Sequence, residues 1–382
     1  MIKKYIAFVI ILISCLITLT GCYDARGIEE LAYVVAIGID KGSSTTLRLS
    51  FQFAVPSEKS SDSGEGSSQS SSSDVTTVDC NSINEGISLM NAYTSKQVNL
   101  SHCKIILFGE NLAVEGLANH IYTLVNNNEI RPNTNVLVTK STAEDFLNHS
   151  KPMLEQHTAR YYETILNSYL YTGFTTSSNL LGFYSDLKSL YKEPTAVLGE
   201  INDDDEVQNM GVAIFKKDYL IGELNGLESI YCLIASGKLQ SCIITVPSPF
   251  DNQTSIDFYV TLQKKTKNNV QIVNGSPYID SKIYLSANIL SMGEGSDYSN
   301  DENVKLLEEY SNNYLKKEIL TFLYKTAKDF KSDIIGFGED VINDYLFYED
   351  WESSNWLENY KNSTFNVNVE LKIKHPYMLV ES

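Results

Sequence analysis

Cys22 sits where its thiol can be modified. It follows Leu19-Thr20-Gly21, an aliphatic residue and then two small ones, in the pattern of a lipobox. The small residues let a peptidase reach the backbone, and the thiol can carry a diacylglycerol group. Upstream, Lys3 and Lys4 form a short basic stretch. An apolar run from Tyr5 to about Ile17 follows, broken only by Ser14 and Cys15. The run is shorter than the roughly 20 residues a helix needs to span a bilayer, and it fits a signal peptide. We expect residues 1–21 to be removed and Cys22 to become a lipidated N-terminus. Two acyl chains give stable attachment, because each buried methylene contributes about 0.8 kcal/mol.

Other candidate chemistry is sparse. The sequence holds no HExxH, GxSxG or Walker A pattern. The five histidines, His102, His120, His149, His157 and His375, are far apart and lack metal-ligand spacing. Asp297, Ser299 and Asp301 match the first ligand positions of a calcium loop, and Glu308 the twelfth. The sixth position, however, needs Gly for its sharp turn and holds Glu302. An acidic loop that caps the next helix accounts for the same residues. Gly336-Phe337-Gly338 is a lone GxG with no strand before it, so it reads as a turn that ends a helix. Four cysteines remain beyond Cys15 and Cys22: Cys80, Cys103, Cys232 and Cys242. Buried free thiols are the favoured reading. If a bridge forms, Cys232 and Cys242 flank a short Gly-containing turn. No catalytic residue, metal ligand or cofactor site is assigned.

The elements that hold these residues follow from apolar periodicity. Leu31 to Ile39 reads as a buried strand. After the turn at Asp40-Lys41-Gly42, Leu47, Leu49, Phe51, Phe53 and Val55 alternate with polar partners, as in a half-buried strand paired to the first. Residues 57–74 are almost all Ser, Asp, Glu and Gly and should form a disordered surface loop. Helices are expected at 82–97, 112–125 and 142–148, with Thr142 as N-cap, and strands at 104–108 and 135–140. Residues 202–206, Asn-Asp-Asp-Asp-Glu, read as an acidic linker. Beyond them a hairpin is expected at 211–222, then strands at 241–246, 255–263, 270–273, 282–290 and 365–373. A long helix over 304–330 should carry a stripe of Val304, Leu307, Leu315, Ile319, Phe322, Leu323 and Phe330.

The expected class is therefore α+β, with mixed and antiparallel sheets. An N-terminal part alternates strands and helices, and a C-terminal sheet is packed by one long helix. The domains read as 22–200, including the 57–74 loop, and 208–382, joined by the linker 201–207. A further division near 245 is left open. Of 382 residues only 30 are Lys or Arg, against 48 Asp or Glu, and the net charge is −18. That balance repels phosphate backbones and anionic lipid surfaces, which argues against nucleic-acid binding and leaves membrane attachment to the acyl chains.

Four segments, in order along the chain, resemble the C subunits of spore germinant receptors, the Ger(x)C lipoproteins. They are Gly21-Cys22-Tyr23-Asp24-Ala25-Arg26 with Gly38-Ile39-Asp40-Lys41, Leu100-Ser101-His102-Cys103-Lys104 with Gly109-Glu110, Asn209 to Asp218, and Lys331 to Gly338 with Trp351 and Trp356 downstream. The family usually has Trp after the lipid cysteine, where this chain has Tyr23. The Ser-rich insertion at 57–74 is a second departure. The resemblance implies distinct mixed domains, no catalytic residues, lipidation at Cys22, and a place beside two integral-membrane partners, A and B. Its setting would be the extracytoplasmic face of the spore inner membrane, in a complex that answers small nutrients. The alternative is a solute-binding lipoprotein of a transporter, which would show two similar lobes around a hinge. A surface hydrolase is disfavoured by the missing motifs.

Overall fold

A computed structural model of the chain describes residues 2–18, 27–54, 75–150, 158–249, 254–291, 300–342 and 345–374. Cys22, the Ser-rich segment 57–74, Asp297, Ser299, His157 and His375 lie outside the described residues. The apolar N-terminal run is helix α1 (Ile2–Thr18). No helix among the described residues is long and apolar enough to cross a membrane.

The large sheet holds β1 (Leu31–Lys41), β2 (Leu47–Phe53), β3 (Val75–Cys80), β4 (Gln97–Asn99), β5 (Ile105–Gly109), β6 (Asn135–Thr139), β7 (Thr195–Ile201), β8 (Val207–Lys216) and β9 (Tyr219–Leu224). Their order is β3-β2-β1-β5-β6-β7-β8-β9, with β4 beside the start of β1. β1, β5, β6 and β7 run parallel, flanked by antiparallel strands at both ends. Parallel strands need helical crossovers, which cover both faces of the sheet. Between β3 and β6 these are α2 (Ile83–Tyr93), α3 (Glu110–Glu115) and α4 (Ala118–Val125). Between β6 and β7 they are α5 (Ala143–His149), α6 (Thr158–Leu166), α7 (Tyr169–Thr172) and α8 (Leu180–Lys188).

The period of two sorts the strand residues between two cores. Ile37, Ile39, Ile106, Phe108 and Val138 join Met90, Leu124 and Phe183 on one face. Ala36, Ile105, Leu107, Leu137 and Val197 join Phe146, Tyr162 and Leu166 on the other. β2 is therefore not half-buried as its alternation suggested. Ser50 and Gln52 on its polar face are fully buried, and Tyr162 on α6 donates its hydroxyl hydrogen to Gln52 Oε1 at 2.6 Å. Thr142 caps α5 as expected, accepting from the Asp145 N–H at 3.0 Å. The expected helix 112–125 breaks at Gly116 into α3 and α4.

The acidic stretch expected to be a linker is the turn of a hairpin. β7 and β8 pair antiparallel, Ile201 opposite Val207, and Asn202 Oδ1 accepts the N–H groups of Asp204 and Glu206 at 3.0 and 2.8 Å. The carboxylates stay solvated around a tight turn while the sheet continues through it.

The second sheet has order β10-β11-β12-β13: β10 (Ser241–Pro247), β11 (Ser255–Val273), β12 (Ser276–Ser291) and β13 (Thr364–Ile373). β11 joins the two strands expected at 255–263 and 270–273 into one. Its polar middle pairs with β12 through register shifts and carries no apolar alternation to reveal it. Between the sheets lies α9 (Gly226–Ala235), buried from Ser229 through Ala235. Asn225 and Glu228 form a capping box at its start. The long helix is α10 (Asp301–Lys325), capped by Asn300 and followed by a π-helical turn over Thr326–Phe330. Leu307, Leu315, Ile319, Phe322 and Leu323 of the expected stripe are buried. Short helices α11 (Gly338–Ile342), α12 (Tyr348–Ser354) and α13 (Trp356–Asn359) lead to β13. One core joins Val212, Ile214 and Leu224 of the large sheet to α9, α10 and the inner face of the small sheet. The two sheets differ in size and topology, so they are not two similar lobes.

If α10 is held by this stripe, Leu315→Ala should lower stability by about 2–5 kcal/mol, the range for truncating a buried leucine. Leu306→Ala, on the half-exposed side of the helix, should change it by about 0.5 kcal/mol or less. Chemical denaturation of both variants checks this; equal losses would contradict the packing described.

Candidate functional site

The most specific polar construction among the described residues is the turn Ser332–Gly338, where the two sheets meet. Where α10 passes into the π-helical turn, Thr326 Oγ1 bonds back to the Leu323 carbonyl at 2.7 Å, and the turn ends where Lys331 takes a left-handed conformation with φ of 54°. The chain then folds around Asp333, which is fully buried. Asp333 Oδ1 accepts the N–H groups of Gly336 and Phe337 at 2.8 and 3.2 Å. Oδ2 accepts the Gly338 N–H at 3.1 Å and the indole N–H of Trp356 at 2.9 Å. Burial pushes this carboxyl up to about 6, against those four donors, which favour the charged form. At neutral pH it remains the carboxylate that four N–H groups require.

The same turn grips the large sheet. The Ser332 hydroxyl donates to the Phe215 carbonyl on β8 at 2.8 Å, and the Glu193 N–H donates to the Asp333 carbonyl at 2.9 Å. Glu193, itself buried, accepts the Lys217 N–H at 2.6 Å. Burial also raises the Glu193 carboxyl above its ordinary value, opposed by that bond and the charge of Lys216. On the other side Trp356 stacks near Trp351, with centroids 6.1 Å apart, and Phe337 lies against Tyr360 and Phe365.

Gly336 has φ of +92°, a conformation that side chains adopt at a cost of about 1–2 kcal/mol. Gly338 matters for a different reason: its φ is not positive, but a Cβ there would lie 2.5 Å from Trp356 Nε1 and 2.7 Å from the Tyr191 carbonyl oxygen. Gly336-Phe337-Gly338 is thus a buried structural turn and not a ligand loop.

The remaining candidates do not converge. Among the described residues no three His, Cys, Asp or Glu side chains are grouped to hold a metal ion. His102 packs edge-on against Tyr33, and His149 Nδ1 lies 2.8 Å from the Asp145 carbonyl oxygen. Cys80, Cys103, Cys232 and Cys242 are free and buried. Burial pushes the Cys232 thiol up to about 11 and the Cys103 and Cys242 thiols up to about 12, so they stay protonated and unreactive at neutral pH. The residues that reading for catalytic motifs misses are Asp333 and Glu193. Asp333 lies within the fourth family-like segment, and Trp356 was placed downstream of it, but nothing in their spacing marks them as partners.

The description "Spore germination protein N-terminal domain" matches residues 24–201, and "Spore germination B3/GerAC like, C-terminal" matches residues 210–377. The chain belongs to the Ger(x)C family of spore germination proteins. Among Ger(x)C relatives, spore germination protein KC of Bacillus subtilis (strain 168) is 25% identical, with 92% of this chain and 90% of that protein covered. Spore germination protein GerQC of Bacillus cereus is 21% identical, with 97% and 98% covered. The crystal structure of the GerBC protein superposes with a TM-score of 0.53 at 16% identity, covering 88% of this chain and 96% of that one. That similarity establishes a shared fold: an α+β architecture of mixed sheets with one long C-terminal helix. The turn that holds Asp333 lies inside the C-terminal family region.

Asparagine at position 333 would keep the shape but turn an NH2 group toward two N–H donors, whichever way the amide faces. Asp333→Asn should therefore cost about 1–3 kcal/mol, the penalty for unsatisfied buried donors. Gly338→Ala should cost about 1–3 kcal/mol by forcing the Trp356 indole off the carboxylate. Thermal melting with Trp fluorescence reads both, and wild-type stability in either variant would contradict the arrangement.

Proposed function

We propose that this chain is the lipid-anchored, non-enzymatic C subunit of a nutrient germinant receptor. In this reading residues 1–21 are a signal peptide, and Cys22 carries the acyl chains on the extracytoplasmic face of the spore inner membrane. The mature chain, with an N-terminal part over 22–200 and a C-terminal part over 208–382, works beside integral-membrane A and B subunits and is needed for the response to nutrients. The observation that carries the reading is the pair of family matches, in order and nearly end to end, with the first starting two residues after Cys22. The thiol pattern supports it: Leu19-Thr20-Gly21 precedes Cys22, whereas Cys80, Cys103, Cys232 and Cys242 are buried and held protonated. The solute-binding alternative has less support, because it expects two similar lobes and the two sheets differ in strand number and order.

Cys22→Ala should abolish incorporation of a fatty-acid analogue in metabolic labelling and release the chain from the membrane fraction. Spores lacking the chain should lose germination in response to the nutrients its receptor recognises and keep germination forced by agents that bypass receptors. The A and B subunits should co-purify with the wild-type chain from spore membranes. Undiminished labelling of the variant would remove the anchor from this account. Loss of bypass germination as well would place the protein downstream of any receptor.

A further inference from the structure

A cleft of about 610 Å³ opens beside the Asp333 turn, between α8, the residues flanking it, and the connection from α9 to β10; Ile334 lines it. Its wall is built differently from the rest of the surface. The chain carries a net charge of −18, yet two ammonium groups, Lys192 and Lys238, meet here. Asp186, at the end of α8, forms an ion pair with Lys192. Lys238 lines the cleft and forms no ion pair among the described residues. Desolvation and the charge of Lys192 hold its ammonium below the ordinary value, outweighing the carboxylates of Asp186 and Glu339. Two like charges are thus close enough to act on each other, and one carboxylate is paired to Lys192.

The wall also offers unused polar capacity. Asn179 uses its carbonyl oxygen to cap α8, accepting the Gly182 N–H at 2.8 Å. Its amide N–H groups remain to donate.

We propose that this cleft binds a small monovalent carboxylate with a polar body, its carboxylate held by Lys238 and a neighbouring oxygen by the Asn179 amide. One negative charge completes the pairing of two ammonium groups and one carboxylate. A doubly charged phosphate would set its second charge against Asp186, which is why the site is assigned to monovalent acids. Charge-assisted hydrogen bonds of this kind are roughly twice as strong as neutral ones, so Lys238 should dominate affinity.

The test is isothermal titration calorimetry on the full chain in detergent, with glycolate, L-lactate and pyruvate as probes and inorganic phosphate and glycerol as controls. At least one carboxylate should saturate a single site. Lys238→Met should weaken it about tenfold or more with an unchanged melting temperature. Lys238→Arg, which keeps the charge, should retain most of the affinity. Lys264→Met should bind as wild type does, because that ammonium lies over the Tyr284 ring in the small sheet, 3.3 Å from its centroid. Absence of binding by all three carboxylates, binding undiminished in Lys238→Met, or phosphate binding as tightly as the carboxylates would each overturn the proposal. The readout is made on the isolated chain, so it stands or falls separately from the receptor reading.

Discussion

A buried carboxylate governs how the two sheets of this protein meet. Taking a charge out of water costs several kcal/mol unless hydrogen bonds replace the lost solvent. Asp333 recovers that cost through four N–H donors, three from its own turn and one from Trp356. Each donor constrains a different part of the chain. The three backbone groups dictate the shape of the turn, and with it the left-handed conformation at Gly336. The indole fixes Trp356, which positions the aromatic cluster of Trp351, Phe337 and Tyr360. The Asp333 carbonyl accepts the Glu193 N–H just before β7, and the Ser332 hydroxyl donates to the Phe215 carbonyl on β8 in the large sheet. A local electrostatic requirement thereby becomes a constraint on how the two family regions are joined.

Apolar packing extends the constraint. α9 leaves the large sheet after β9 and is buried on nearly every side, with Ile230, Leu233 and Ile234 in the core that also holds Val212 and Ile214 of β8. Separating the sheets would expose this shared core, at roughly 25 cal/mol for each Å² of apolar surface. Displacement of one sheet against the other is therefore resisted by packed side chains.

Much of this was legible in the residues. Thr142 with Asp145 announced the start of α5, and the stripe from Leu307 to Leu323 announced both α10 and the side it buries. The hairpins β1–β2 and β8–β9 follow from apolar runs separated by turn residues. The failures have physical causes. β2 alternates as a half-solvated strand does, but α6 covers its polar face and Tyr162 satisfies Gln52. α9 is apolar all round, so it has no amphipathic period to distinguish it from loop or strand. The middle of β11 is held by pairing to β12 and carries no pattern of its own. Asn202 to Glu206 has the composition of a linker, but five solvated polar residues also suit a tight turn between paired strands. Asp333 and Trp356 are 23 positions apart, and only the fold shows that one receives the other's hydrogen bond.

The central claim is that the Asp333 turn and the core around α9 open together or not at all. Native-state hydrogen exchange tests it without altering the protein. The amides of Gly336, Phe337 and Gly338 and the indole N–H of Trp356 should exchange at one slow rate, shared with the buried amides of α9 and β8. Fast exchange at the turn while α9 and β8 remain protected would contradict the claim and reduce the carboxylate to a local feature of one loop.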